Sequence, residues 1–168
     1  PFKFLFMHKF SSSSETALRS AHEDLQKILR LGLQRSRVDF GISEGHRSPE
    51  KQLEYYKKGR KLVGEKWVIT NQKKVITDCD GYIKKSKHNY LPSMAVDIFA
   101  HVPGKPSLTY DTNHLSYIAG ILQSVAQELL ARNEISHHLI WGNNWDDDGE
   151  LIYDHDLKDG PHFELRTI

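Results

Sequence analysis

A chain of 168 residues, 38% apolar and 27% charged, can bury roughly 70% of its unfolded surface in one core and is too rich in interleaved apolar positions to stay disordered. No apolar run approaches the ~20 residues of a membrane span, and Cys79 stands alone, which excludes a spanning helix and an internal disulfide scaffold. The net charge of +1 hides two opposed halves: residues 1–74 carry 16 Lys/Arg against 8 Asp/Glu, residues 75–168 carry 7 against 14, and the basic half would suit any anionic partner.

Residues Pro1–Phe10 alternate apolar and basic side chains ahead of four serines. They lack the continuous apolar stretch and small-residue cleavage site of a secretory signal, so synthesis in a reducing cytoplasm is expected. Leu18, Ala21, Leu25, Ile28 and Leu29 recur at helical spacing and predict one amphipathic helix over about 15–34. Val38–Ile42 alternates like a strand. Ser48-Pro49-Glu50 is a helix start, with Ser48 as cap and Pro49 in the first turn, and the helix should end near Lys58, ahead of Gly59. Residues 62–87 mix apolar pairs with Gly and Asp and read as a long excursion, and Ala95–Phe99 is a short strand. Thr112 or Asn113 caps the clearest helix, whose stripe Leu115, Ile118, Leu122, Val125 and Leu129 is core. A strand at Leu139–Trp141, an acidic loop from Asn143 to Gly160 and a last strand at His162–Arg166 complete the chain. Two or three helices with short strands outside strict βαβ alternation predict an α+β fold with a small, mostly antiparallel sheet, one domain over 1–168.

Ten histidines are many for this length, and most are expected to be bystanders. His8, His22, His46, His101 and His114 are expected to stand without a partner suited to metal or nucleophilic chemistry. His137 and His138 would point to opposite faces of a strand and could not readily grip one ion together. Two segments stand apart. In the first, Ser86-Lys87-His88 leads through Pro92 to Asp97, a carboxylate inside the apolar strand Ala95–Phe99. Such a group needs a compensating positive charge, which a metal ion or a basic side chain would supply. In the second, Asp159-Gly160-Pro161-His162-Phe163-Glu164-Leu165, His162 and Glu164 share one face while Phe163 and Leu165 enter the core. A catalytic zinc takes three nitrogen or oxygen ligands and needs a base for its water. His88, Asp97 and His162 provide the ligands, Asp159 is placed to be the base, and Glu164 could orient a ligand.

These two segments together resemble the paired signature of the LAS-type zinc peptidases. That family includes D-alanyl-D-alanine carboxypeptidases and dipeptidases, and the phage L-alanoyl-D-glutamate endopeptidases that act as endolysins. The endolysin branch is the most similar, with an Asp three residues ahead of the histidine. Gly45-His46-Arg47-Ser48, followed by Gln52, Tyr55, Tyr56, Gly59 and Arg60, is similar to the family's active-site Arg helix. Trp141-Gly142-Asn143-Asn144-Trp145 resembles its W-G-G-x-W stretch. The spacing from His88 to Asp97 is two residues longer than the usual H-x6-D. The resemblance implies a hedgehog/D-Ala-D-Ala-carboxypeptidase-like fold and a Zn2+ enzyme that hydrolyses the L-Ala–D-Glu bond of the bacterial peptidoglycan stem peptide. It implies Asp159 and Arg47 as catalytic residues, with Ser86, Gln52 and Glu164 beside substrate or ligands. It further implies a monomer with no separate wall-binding module and no nucleic-acid or membrane partner, held in the host cytoplasm until lysis and then acting at the wall. A D,D- or L,D-carboxypeptidase of the same family is the alternative, and a non-catalytic zinc-bearing module, as in hedgehog-type domains, a more distant one.

The acidic loop carries one more expectation. Asn144-Trp145-Asp146-Asp147-Asp148-Gly149-Glu150-Leu151 fits the opening of an EF-hand loop, with oxygen ligands at positions 1, 3 and 5 and Gly at 6. Position 12 is His155 where a bidentate Glu belongs. A regulatory Ca2+ held by Asn144, Asp146, Asp148 and Glu150 competes here with a plain solvated acidic loop.

Overall fold

The computed structural model describes residues 8–150 and 158–168. Its main sheet has four antiparallel strands in the order β1-β4-β6-β5: β1 is Asp39–Glu44, β4 Ala95–His101, β5 His137–Trp141 and β6 His162–Thr167. Helices α1 (Ser12–Arg19), α2 (Glu23–Arg35) and α4 (Thr112–Ala131) bury their apolar stripes against it, and α3 (Pro49–Tyr56) follows β1. Alternation sorts the strands. Val96, Ile98 and Ala100 of β4, with Phe163 and Leu165 of β6, join Leu25, Ile118 and Leu122 in the core. Asp97 and His162, paired directly across the two central strands, take the opposite face. The α+β fold and the mostly antiparallel sheet are as expected, and among the described residues no helix is long and apolar enough to cross a membrane.

Three elements differ from the sequence reading. The helix expected over 15–34 is two helices. Ser20 ends α1, its carbonyl accepts the Ser93 N–H at 2.9 Å, and Ser93 O accepts the His22 N–H at 2.8 Å, so residues 20–22 are drawn out of the helix to pair with the segment before β4. The apolar period survives because Leu18, Ala21 and Leu25 stay buried on one side of the break. Within the excursion, β2 (Arg60–Val63) and β3 (Lys66–Ile69) form a hairpin apart from the main sheet. Its two-residue turn starts at Gly64, whose φ of +62° is the left-handed conformation that hairpin turns require and that a side chain resists. Finally, α4 is capped by Asp111, whose carboxylate accepts the His114 N–H at 3.0 Å, one residue earlier than Thr112. The alternation of the first residues lies outside the described part except for positions 8–10.

Candidate active site

A short 3-10 turn, Lys87–Asn89, delivers His88 to the open face of β4 and β6. The Ser86 hydroxyl accepts the His88 N–H at 3.1 Å, and the Asn89 carboxamide accepts the Ser86 N–H at 2.8 Å, a closed box that fixes the turn. His88 Nδ1 donates to the Gly45 carbonyl at 2.7 Å. A carbonyl only accepts, so the proton sits on Nδ1 and Nε2 presents its lone pair. On the neighbouring strand, His162 Nε2 donates to Glu164 at 3.3 Å, which turns Nδ1 to the same point.

There the three donor atoms form a nearly regular triangle. His88 Nε2 lies 3.3 Å from His162 Nδ1 and 3.3 Å from Asp97 Oδ1, and His162 Nδ1 lies 3.1 Å from Asp97 Oδ1. Ligands about 2.0–2.1 Å from a tetrahedral zinc stand about 3.3 Å apart, so the triangle fits one face of such a site. The residues fit a metal, and His88, Asp97 and His162 form one of two metal-capable groups among the described residues. As protein alone the cluster is tightly coupled. Burial by itself would raise the Asp97 carboxyl, but the imidazoles of His162 and His88 beside it hold it far below the usual carboxylate range. Burial would lower His162, and the hydrogen bonds to Asp97 and Glu164 instead push it up to about 9.

Asp159 reaches the site from the turn before β6. Burial raises its carboxyl above the ordinary value of 3.8 and the charge on Asp97 adds to that, against the pull of His162. The turn is held in three places: Asp159 N–H donates to Gly142 O at 3.0 Å, Gly142 N–H to His162 O at 2.9 Å, and Trp141 Nε1–H to Gly160 O at 2.8 Å. Gly142 has no room for a side chain, since a Cβ there would stand 2.3 Å from Asp159 O. The donors lie in a cleft of about 790 Å3, whose walls include Arg47, Ser86, Trp145, Lys158 and Asp159.

The model of a known family, the phage L-alanyl-D-glutamate peptidases, matches residues 6–166. The chain belongs to that family. This phage-type peptidase is also similar to the crystal structure of the Serratia marcescens L-Ala D-Glu endopeptidase ChiX, at a TM-score of 0.60 and 26% identity, over 95% of this chain and 92% of that one. No match emerged among curated protein sequences.

In the peptidase, the remaining expected residues are placed as follows. Arg47 is at the site but engaged: Nη2 donates to Asp97 at 3.2 Å, Nε to Glu44 at 3.0 Å and Nη1 to Gln52 at 2.8 Å. Gln52 is fully buried and its amide donates to Cys79 O at 2.9 Å, so it orients the guanidinium. Glu44 is the residue the sequence reading missed. A bulge between Ile42 and Glu44 places it opposite Asp97, and although burial would raise its carboxyl, Arg47 and Lys51 hold it below the ordinary range. The one available signal was the polar end of β1, three residues ahead of Arg47. Trp145 stacks near His162, ring centroids 5.3 Å apart, within the tryptophan stretch already singled out.

Of the expected calcium ligands, Asn144 is buried and its N–H donates to Trp141 O at 2.9 Å, and Asp148 accepts the Glu150 N–H at 2.9 Å. Neither metal-capable group includes Asp146, Asp148 or Glu150, and Leu151 and His155 lie outside the described residues. His22 requires a correction. It is not isolated, because Asp24 and His137 stand beside it in the second metal-capable group.

Proposed function

We propose that this peptidase hydrolyses the L-Ala–D-Glu bond of the peptidoglycan stem peptide as a zinc enzyme, with His88, Asp97 and His162 as ligands and Asp159 as general base. The observation that carries the proposal is the donor triangle of 3.1–3.3 Å at the floor of a cleft, with a carboxyl of raised proton affinity beside it. Zinc held by such a set supplies a water whose pKa falls to about 7 and an electrophile for the scissile carbonyl.

The chain's own groups do the rest. Asp159, its proton affinity raised by burial, takes the proton of the attacking water and returns it to the leaving amine of D-Glu. Glu164 keeps the proton of His162 on Nε2, and the Gly45 carbonyl keeps that of His88 on Nδ1, so both ligand lone pairs stay aimed inward. Arg47 steadies the second oxygen of Asp97 and is itself held in place by Gln52. The protein acts as a phage lysis enzyme, accumulating in the host cytoplasm and working at the wall once released.

The deciding experiment is mass spectrometry of fragments from purified peptidoglycan. Products ending in L-Ala, with new free amines on D-Glu, are expected, and a chelator should abolish them. Release of terminal D-Ala with the L-Ala–D-Glu bond intact would make the protein a carboxypeptidase, and cleavage undiminished in metal-free protein would end the zinc reading.

A further inference from the structure

The second cluster of metal-capable side chains lies away from the cleft, at the opposite end of β5 from Trp141. Asp24 is 2% exposed in the first turn of α2. Its Oδ2 accepts the Ser136 N–H at 2.9 Å and lies 2.8 Å from His137 Nδ1, while Oδ1 lies 3.9 Å from His22 Nδ1. One donor atom from each of the three lies within 4.8 Å of the others. Two imidazoles and one carboxylate are the same donor set as His88, Asp97 and His162. The ring poses match as well: His22 and His137 stand edge to face at 4.9 Å and 72°, His88 and His162 at 5.1 Å and 65°.

A cation would take the place of two hydrogen bonds within this cluster. His22 Nδ1 accepts the Asp24 N–H at 3.1 Å as the cap of α2, so it carries no proton, and an ion bound there would take the one lone pair now spent on that cap. His137 donates from Nδ1 to the carboxylate, and an ion taking that place would release the proton to water. The His22 and His137 side chains are 24% and 15% exposed, enough for an ion to enter and keep water in its remaining positions. Two nitrogen donors select zinc over calcium or magnesium.

We infer that His22, Asp24 and His137 form a second zinc site, a structural one that clamps the start of α2 to the start of β5. Asp24 and His137 are 113 residues apart in sequence, so the clamp closes a loop spanning most of the chain and restricts the unfolded ensemble. The alternative is a metal-free latch, in which Asp24 is satisfied by Ser136 and His137 alone.

Zinc uptake by chelator-treated protein, read by elemental analysis and thermal melting, separates the two. Wild type should take up two equivalents, and His22→Ala and His137→Gln one each while still releasing wall fragments. The carboxamide introduced by His137→Gln keeps an N–H toward Asp24, so this variant preserves the latch and removes the ligand. A double variant, His88→Ala with His162→Ala, should take up one equivalent and gain about 5–10 °C in melting temperature when zinc exceeds its dissociation constant a hundredfold. Two equivalents persisting in both His22→Ala and His137→Gln would overturn the inference, as would a double variant that binds none. A wild type that binds one equivalent and a double variant that keeps it would instead locate the failure in the active-site reading.

Discussion

Asp159 and Arg47 both line the cleft that holds the donor triangle and should fail differently. Asp159→Ala leaves all three ligands in place. Zinc content should stay at the wild-type level while turnover falls roughly 100-fold or more, the usual span for a general base. Loss of zinc with turnover restored by excess metal would make Asp159 a ligand. Arg47 touches Asp97 itself, so Arg47→Ala frees an oxygen of Asp97 and leaves the half-buried Glu44 with Lys51 alone as counter-charge. Zinc affinity should weaken about 10-fold, measured by competition with a chelator, together with lost turnover. Unchanged affinity with normal turnover would reduce Arg47 to a surface-type ion pair. The donor cluster of His88, Asp97 and His162 was legible in the sequence because alternation on β6 separates His162 and Glu164 from Phe163 and Leu165. Glu44 was not, because a carboxylate at a strand end reveals nothing until the bulge turns it toward Asp97.

At the level of elements, the loop after β5 is a mould for the turn that bears Asp159. Gly142→Ala would drive a methyl group to 2.3 Å from Asp159 O and 3.1 Å from its Cβ, and backbone on both sides leaves little to yield. Turnover should drop at least 10-fold with zinc content intact, and normal turnover would show that the turn relaxes. The break between α1 and α2 is held in part by Glu15, whose oxygens accept from Arg30 at 2.6 and 2.8 Å. That fork lowers the Glu15 carboxyl below its ordinary 4.5. A carboxyl lowered in the folded state stabilises above its unfolded value and loses that contribution as pH falls through the folded one. With both side chains partly exposed, the fork contributes about 0.5–1 kcal/mol. Urea melts of wild type and Glu15→Gln should differ by that much at pH 7 and draw together as pH falls below 4.5, whereas a gap constant with pH would reject the fork as its source. The break itself was hidden from the sequence. Hydrophobic period reports which side is buried, and Ala21 keeps that side continuous while its backbone pairs with Ser93.

Across the whole molecule, the sheet and its helical cover followed from local patterns, while the features that were missed join distant segments. His22, Asp24 and His137 could not be grouped from a sequence that places Asp24 and His137 113 residues apart. A chelator should therefore act at two levels, abolishing wall hydrolysis and lowering the melting temperature. Zinc should reverse both, and hydrolysis that persists after chelation would refute the first. The pairing of Asp97 with His162 across the central strands has a consequence for assembly. A slip of one residue between β4 and β6 would turn His162 and Glu164 toward the helices and Phe163 and Leu165 toward water. Such a chain could still be compact and strand-rich, yet it would hold only two of the three ligands on one side. On the zinc reading, ion uptake would be a proofreading signal, counting the chains whose strands have found their register before any bond in the wall is cut.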